Sequence, residues 1–216
     1  MSLSSTFNLS QNMRDSTLSL TLPDLNISIS RFYPLKRKHA AGKERWYEKI
    51  AMTYTAQMQN SMKGNTNDLK DLNDLASKFN NGVRHTIPIS ASFNVGGFLN
   101  ISPSVNYDER WYFRRVDQRW DPQQNAIVAD TTRGFYRVYD YRASVSANTT
   151  LYGMYQFKNP NSFVKAIRHT INLDLSASVA PDFGKDKYGY WKEVQANAEG
   201  TRMQRYSPFA GQLYGV

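Results

Sequence analysis

Four arginines crowd one short stretch, where Arg110, Arg114, Arg115 and Arg119 stand beside Trp111, Tyr112 and Trp120. Guanidinium forks match phosphate oxygens, and Trp and Tyr settle at the boundary between apolar and aqueous media. The chemistry these residue types suit is therefore the binding of lipid phosphates at an interface. The competing use of the same arginines is pairing inside the protein with Asp108, Glu109 and Asp117. A second basic run, Lys36, Arg37, Lys38, Lys43, Arg45 and Lys49, admits the same two readings, lipid contact or a solvated turn.

Little else in the chain has the spacing of a reactive site. His39, His85 and His169 stand alone, without i,i+4 partners or nearby ligand sets, so no metal site is expected. Residues 182–193 place acids at the first, fifth and twelfth positions of a calcium loop, but Lys187 occupies the place where such a loop needs glycine. Asp182-Phe183-Gly184 has no kinase context around it. With no cysteine there is no disulfide, thiol nucleophile or thiolate ligand. Neither a Ser/His/Asp arrangement nor a phosphate loop is legible, and the chain reads as a protein without enzymatic activity or cofactor.

The elements that must carry the arginines show a period of two. From 98 to 115, odd positions hold Leu99, Ile101, Val105, Tyr107, Trp111 and Phe113, and even positions hold Asn100, Ser102, Ser104, Asn106, Asp108 and Arg110. That pattern is a strand with one apolar and one polar face, longer than ordinary strands. The same alternation recurs over 3–11, 46–60, 84–95, 134–152 and 164–179, and over 17–33, where the apolar phase changes from Leu18, Leu20 and Leu22 to Leu25, Ile27 and Ile29. A one-residue slip at Pro23-Asp24 fits a β-bulge better than a tight turn. Gly96-Gly97 reads as a tight hairpin, 158–161 as a turn and 116–133 as a polar loop around Asp121-Pro122. Leu69, Leu72, Leu75 and Phe79 recur at helical spacing and suggest a short surface helix within 64–82. From 181 onward the chain is Gly-rich, aromatic and irregular. The expectation is an all-β antiparallel meander of about seven long strands.

Composition then limits what surrounds such a sheet. No run of about 20 apolar residues exists among the 216, which excludes transmembrane helices but not a barrel, whose strands are half polar. The N-terminus lacks a basic region followed by an apolar one, so no signal peptide is visible, and an exported protein would be represented here by a mature or internal piece. The net charge of +9 points to anionic partners, nucleic acid or lipid head groups, and aromatics reach 13%. Interface aromatics are expected at Trp46, Tyr107, Trp111, Phe113, Phe135 and Tyr139. Leu99 to Tyr107 extends about 26 Å at roughly 3.3 Å per residue, close after tilting to an apolar band of about 25 Å. These lengths favour a segment of an outer-membrane β-barrel over a soluble basic β domain that binds polysaccharide or nucleic acid.

Several segments, TLPDLNISISRFYPLKRK (21–38), GKERWYEKIAMTYTAQMQNS (42–61), SPSVNYDERWYF (102–113), GFYRVYDYRASVSANTTLYG (134–153), IRHTINLDLSASVAPDFG (167–184) and YSPFAGQLYGV (206–216), resemble the barrel region of the lipopolysaccharide assembly protein family LptD, also called OstA or Imp. The resemblance implies an outer-membrane wall around a lumen that delivers lipopolysaccharide to the outer leaflet. It implies as partners lipopolysaccharide, outer-membrane lipid, the remaining strands of the barrel, a plug lipoprotein and periplasmic bridge proteins, and no nucleic acid. The chain departs from that family in having no cysteine, no receiving domain and too few strands, so it reads as one partial barrel domain over 1–216. Outer loops are expected near 64–82, 116–133 and 181–216, with the connection at 34–45 and the Gly96-Gly97 turn on the periplasmic side. A generic porin or receptor barrel fragment is the alternative.

Overall fold

A computed structural model describes residues 1–14, 16–39, 42–65, 79–158, 163–164 and 166–216. The strands are β1 (Ser2–Asn12), β2 (Thr17–Phe32), β3 (Ala51–Asn65), β4 (Asn80–Ser90), β5 (Phe93–Val95), β6 (Leu99–Asp121), β7 (Ala126–Gln156), β8 (Ala166–Val179), β9 (Lys192–Gln195) and β10 (Met203–Tyr206). The first eight form one sheet in the order β1-β2-β3-β4-β6-β7-β8, with the short β5 beside β6, and every pairing is antiparallel. Each long strand lies next to its neighbour in sequence. This is the seven-strand meander that the alternation predicts.

Register keeps like with like. Val83, Trp111 and Arg137 sit opposite one another across three strands, as do Ile87, Tyr107 and Tyr141, and Val105 lies between Ile89 and Ala143. Those residues make the apolar face, on which Arg137 is held by its ion pair with Glu109. Arg84, Arg110 and Val138 share the other face with Ser90, Ser104 and Ser144. At 22–23, β2 carries one extra residue against both neighbours, because Thr21 and Asp24 face Ser61 and Gln59 on β3. The bulge restores Leu20 and Leu25 to one face despite their opposite parity.

Three sequence readings change. Trp46 does not begin a strand: Trp46–Lys49 is a 3-10 helical turn and β3 starts at Ala51. A buried carboxylate overrides the alternation there. Glu48 accepts Arg37 Nε at 2.6 Å and Nη2 at 2.9 Å, and also the backbone N–H groups of Arg45 at 2.6 Å and Arg37 at 3.2 Å. The segment 116–133 is not an irregular loop, because β6 and β7 stay paired as far as Asp121 and Ala126. Val116, Val128, Thr131 and Thr132 favour extended backbone, and the reversal occupies only 122–125, with Asp121 Oδ1 accepting the Gln123 N–H at 2.9 Å. The expected strand over 84–95 divides at Ala91, whose N–H still reaches Pro103 O at 3.0 Å. The helix expected within 64–82 falls mostly outside the described residues, as does most of the turn at 158–161.

Gly96 and Gly97 form the hairpin between β5 and β6 with φ of +64° and +81°, the region that favours glycine. A Cβ at Gly96 would come within 2.5 Å of the Phe98 ring. Gly96→Val is expected to destabilise the sheet by about 1–3 kcal/mol, the scale of a left-handed non-glycine residue, read as a lower unfolding midpoint. The hydrogen bonds from Arg37, then the Arg45 N–H, hold the Glu48 carboxyl down at about 2. A depressed carboxyl stabilises the fold above the ordinary value of 4.5 and loses that contribution as pH falls through about 2. In denaturation series from pH 7 downward, the stability gap between the wild type and Glu48→Gln should therefore close between about 4.5 and about 2.

Candidate functional site

The apolar face carries its aromatics where the alternation puts them. Trp111 and Phe113 meet Phe135, with ring centroids 5.7 and 6.2 Å apart, and Tyr107 stacks on Tyr139 at 6.3 Å. Phe135 is 60% exposed. At the opposite end of the same face, Trp46 borders a mainly apolar recess with Ile50, Ile89, Phe93, Pro103 and Val105, beside Ser90 and Ser104. Trp46 thus reaches this face from a 3-10 turn. The one acid amid the aromatics, Glu109, is fully engaged: it accepts the Trp111 indole N–H at 2.6 Å and the Tyr107 hydroxyl, and pairs with Arg137 at 2.7 Å. His85, isolated in sequence, packs 4.2 Å from the Trp111 ring and shares a 2.8 Å hydrogen bond with Tyr54.

The polar face is a hydrogen-bonded lattice running across the strands. Arg84 Nη2 pairs with Asp108 at 2.8 Å, Thr86 donates to the same carboxylate at 2.8 Å, and Gln57 donates to Asp24 at 3.3 Å. Lower down, Ser104 bonds Ser144 at 2.8 Å and Asn100 donates to Asn148 at 3.2 Å. Such cross-strand pairs fix register while presenting hydroxyl and amide groups on that face.

Arg110, Arg114, Arg115 and Arg119 do not converge on one point. Arg110 lies on the polar face, nearly buried, in an ion pair with Asp140. Arg115 pairs with Asp117 at 2.8 Å and lies 5.0 Å over the Tyr136 ring. Arg119 pairs with Asp130 at 2.7 Å in full exposure, and Arg114 stands in register with Arg133. Pairing inside the protein is thus what the structure shows for Arg110, Arg115 and Arg119. The acids used differ in part from the nearest ones in sequence, since Asp130 and Asp140 arrive across the β6–β7 ladder.

Residues 180–216 supply what sequence reasoning missed. They fold back as a strap over the upper polar face, with a 3-10 turn at Asp186–Tyr188 and the β9–β10 hairpin. Tyr190 and Phe209 from the strap enclose Tyr112 and Val138 from the sheet, all four at most 5% exposed. The Tyr190 hydroxyl accepts the Tyr139 N–H at 2.9 Å on the part of β7 beyond its pairing with β8, and Pro208 O accepts Val116 N–H at 3.0 Å beyond the reach of β4. The strap then crosses to β3. Tyr112 donates to Gly215 O at 2.7 Å, Asn80 to Gly211 O at 3.0 Å and Tyr214 to Gln57 O at 3.2 Å. The legible signal was its density of aromatics, Phe183, Tyr188, Tyr190, Trp191, Phe209 and Tyr214, which a free loop does not need.

A family model described as LptD protein matches residues 1–216. The chain belongs to the LptD family. No curated protein and no solved structure matches it. The sheet of this LptD family protein has one exposed apolar face, one hydrogen-bonded polar face and a strap over the polar side.

Phe209→Ala removes the ring stacked 5.6 Å from Tyr112 and is expected to loosen strap docking by about 3–5 kcal/mol, the cost of a buried aromatic. Limited trypsin digestion should then cut at Lys185, Lys192 or Arg205 well before the sheet, while the wild type resists at those bonds.

Proposed function

We propose that this chain is part of an outer-membrane β-barrel wall along which lipopolysaccharide reaches the outer leaflet. The apolar face meets lipid and the polar face lines the passage. The observation that carries this reading is the division of the two faces in a chain of the LptD family: exposed Leu, Val, Ile and aromatic side chains on one side, with the Glu109–Arg137 pair among them, and a Ser/Asn/Asp/Arg lattice on the other. In a soluble β domain one face packs on a core, whereas here Val105, Val145, Leu151, Ile171, Leu173 and Leu175 are all at least 38% exposed. Side chains like these suit a hydrocarbon surround, and Trp46 at one end with Trp111, Phe113 and Phe135 at the other fit two interfacial girdles.

On this reading the Gly96-Gly97 turn and the 33–50 connection face the periplasm, and the strap closes over the passage from outside. Among the rim arginines, Arg119 holds its acid only in an exposed pair, the kind that exchanges readily for a lipid phosphate. The remaining strands of the barrel, a plug lipoprotein and periplasmic bridge proteins are the partners the role requires. The protein carries out transport and assembly without chemistry of its own.

Depletion of the full-length gene product should lower surface lipopolysaccharide, measured by surface labelling. Unchanged surface lipid would remove the transport role and leave a generic barrel. The full-length protein should also fractionate with the outer membrane and migrate faster on gels before heating than after; a monodisperse protein without detergent would sink the membrane placement.

A further inference from the structure

The connection between β2 and β3 builds a second polar feature, at the opposite end of the sheet from the strap. There a cavity of about 480 Å³, within the range of small-ligand sites, is lined by Arg31, Lys36, Lys49, Ser90, Ser92 and Ser102. Two carboxylates also border it, and both are already engaged. Glu44 takes Lys36 at 2.9 Å, and Glu48 takes the Arg37 fork and two backbone N–H groups. Arg31 and Lys49 line the cavity without an acidic partner among the described residues. Lys36 and Glu44 form an exposed pair, about half accessible on each side, so that Lys36 can turn to a stronger anion.

The placement of these cations is built rather than incidental. Glu48 is 1% exposed and ties the 3-10 turn to Arg37, which fixes where the adjacent Lys49 leaves the backbone. Ser90 belongs to β4, Ser102 to β6 and Ser92 to the bend between β4 and β5, and Ser90 and Ser102 lie at the end of the polar lattice. Cations surrounded by hydroxyl donors suit a ligand that joins a doubly charged anion to a sugar. Ammonium and guanidinium groups take the phosphate oxygens, and serine hydroxyls meet ring hydroxyls.

We propose that this cavity binds the phosphorylated sugar headgroup of a glycolipid as it enters the polar face, with Arg31 and Lys49 as the phosphate contacts. This deepens the transport reading and rests on it. The full-length protein, purified in detergent, is titrated calorimetrically with a water-soluble bis-phosphorylated glucosamine disaccharide, with the unphosphorylated disaccharide and with inorganic phosphate. The phosphorylated disaccharide should bind, and should bind about tenfold or more weakly to Arg31→Gln with Lys49→Gln, since hydrogen bonds to charged groups contribute on that scale. Arg31→Lys with Lys49→Arg should restore much of the affinity.

Unchanged affinity in the glutamine double variant, or equal binding of the unphosphorylated disaccharide, would overturn the site. Inorganic phosphate binding as tightly as the disaccharide would overturn the headgroup assignment in favour of a free-ion site. If the glutamine variant loses its heat-modifiable migration, the wild type still decides: affinity must fall as ionic strength rises from about 0.05 to 0.3 M, and salt-independent binding rejects the proposal. In cells, a glutamine double variant with normal surface lipopolysaccharide, where depletion lowers it, would reject this site and leave the transport reading standing.

Discussion

Everything in this fold depends on keeping one face of a long meander apolar through more than a hundred residues. Alternation alone cannot do so, because one extra residue turns every later side chain over. The bulge at 22–23 shows how the phase is rescued: Leu20 faces Met62 and Leu25 faces Met58, although their numbers differ in parity. Another register shift, between Tyr112 and Arg114, falls at the contact of Phe113 with Phe135, at the upper end of the aromatic group. Charge enforces the same rule. The single acid among the aromatics, Glu109, has its oxygens taken by Tyr107, Trp111 and Arg137, so the apolar face holds no uncompensated carboxylate there.

The polar face solves a different problem. It must present hydrogen-bonding groups without collapsing onto itself, and it does so by spending most of them on neighbours across the ladder: Arg84 on Asp108, Arg110 on Asp140, Ser104 on Ser144. At the upper end, where β4 stops and β6 and β7 continue, backbone donors would be left open. The strap takes them, through Pro208 to Val116 and Tyr206 to Gln118, and seals the site with Tyr190 and Phe209 around Tyr112. A loop would add motion at this point; a strap with its own aromatic core adds a fixed cover. The lower end is built differently, with a buried acid organising a basic turn.

Sheet edges complete the energetic picture. β1 and β8 pair on one side only among the described residues, and both are exposed along their length. Unpaired edges of this length invite further strands. That requirement agrees with the two-faced wall, since a barrel removes edges by closing.

Much of this was legible from residue order because period-two patterning is a local property. The strands, their number, the apolar face, the bulge at Pro23 and the Gly96-Gly97 hairpin follow from neighbours within a few residues of each other, and so does the gathering of Tyr107, Trp111, Phe113, Phe135 and Tyr139 on one face. Only the tertiary structure decided which acids Arg110 and Arg119 meet, since Asp140 and Asp130 reach β6 by strand pairing. It also decided that Trp46 sits on a 3-10 turn, because burial of Glu48 against Arg37 outweighs an alternating pattern. It turned 116–133 from loop to ladder, since hydrogen bonds to a partner strand satisfy backbone groups that polar side chains alone leave undetermined. And it showed residues 180–216 to be a strap: aromatic side chains announce a need for burial, but the surface that receives them exists only once β3, β4, β6 and β7 lie side by side.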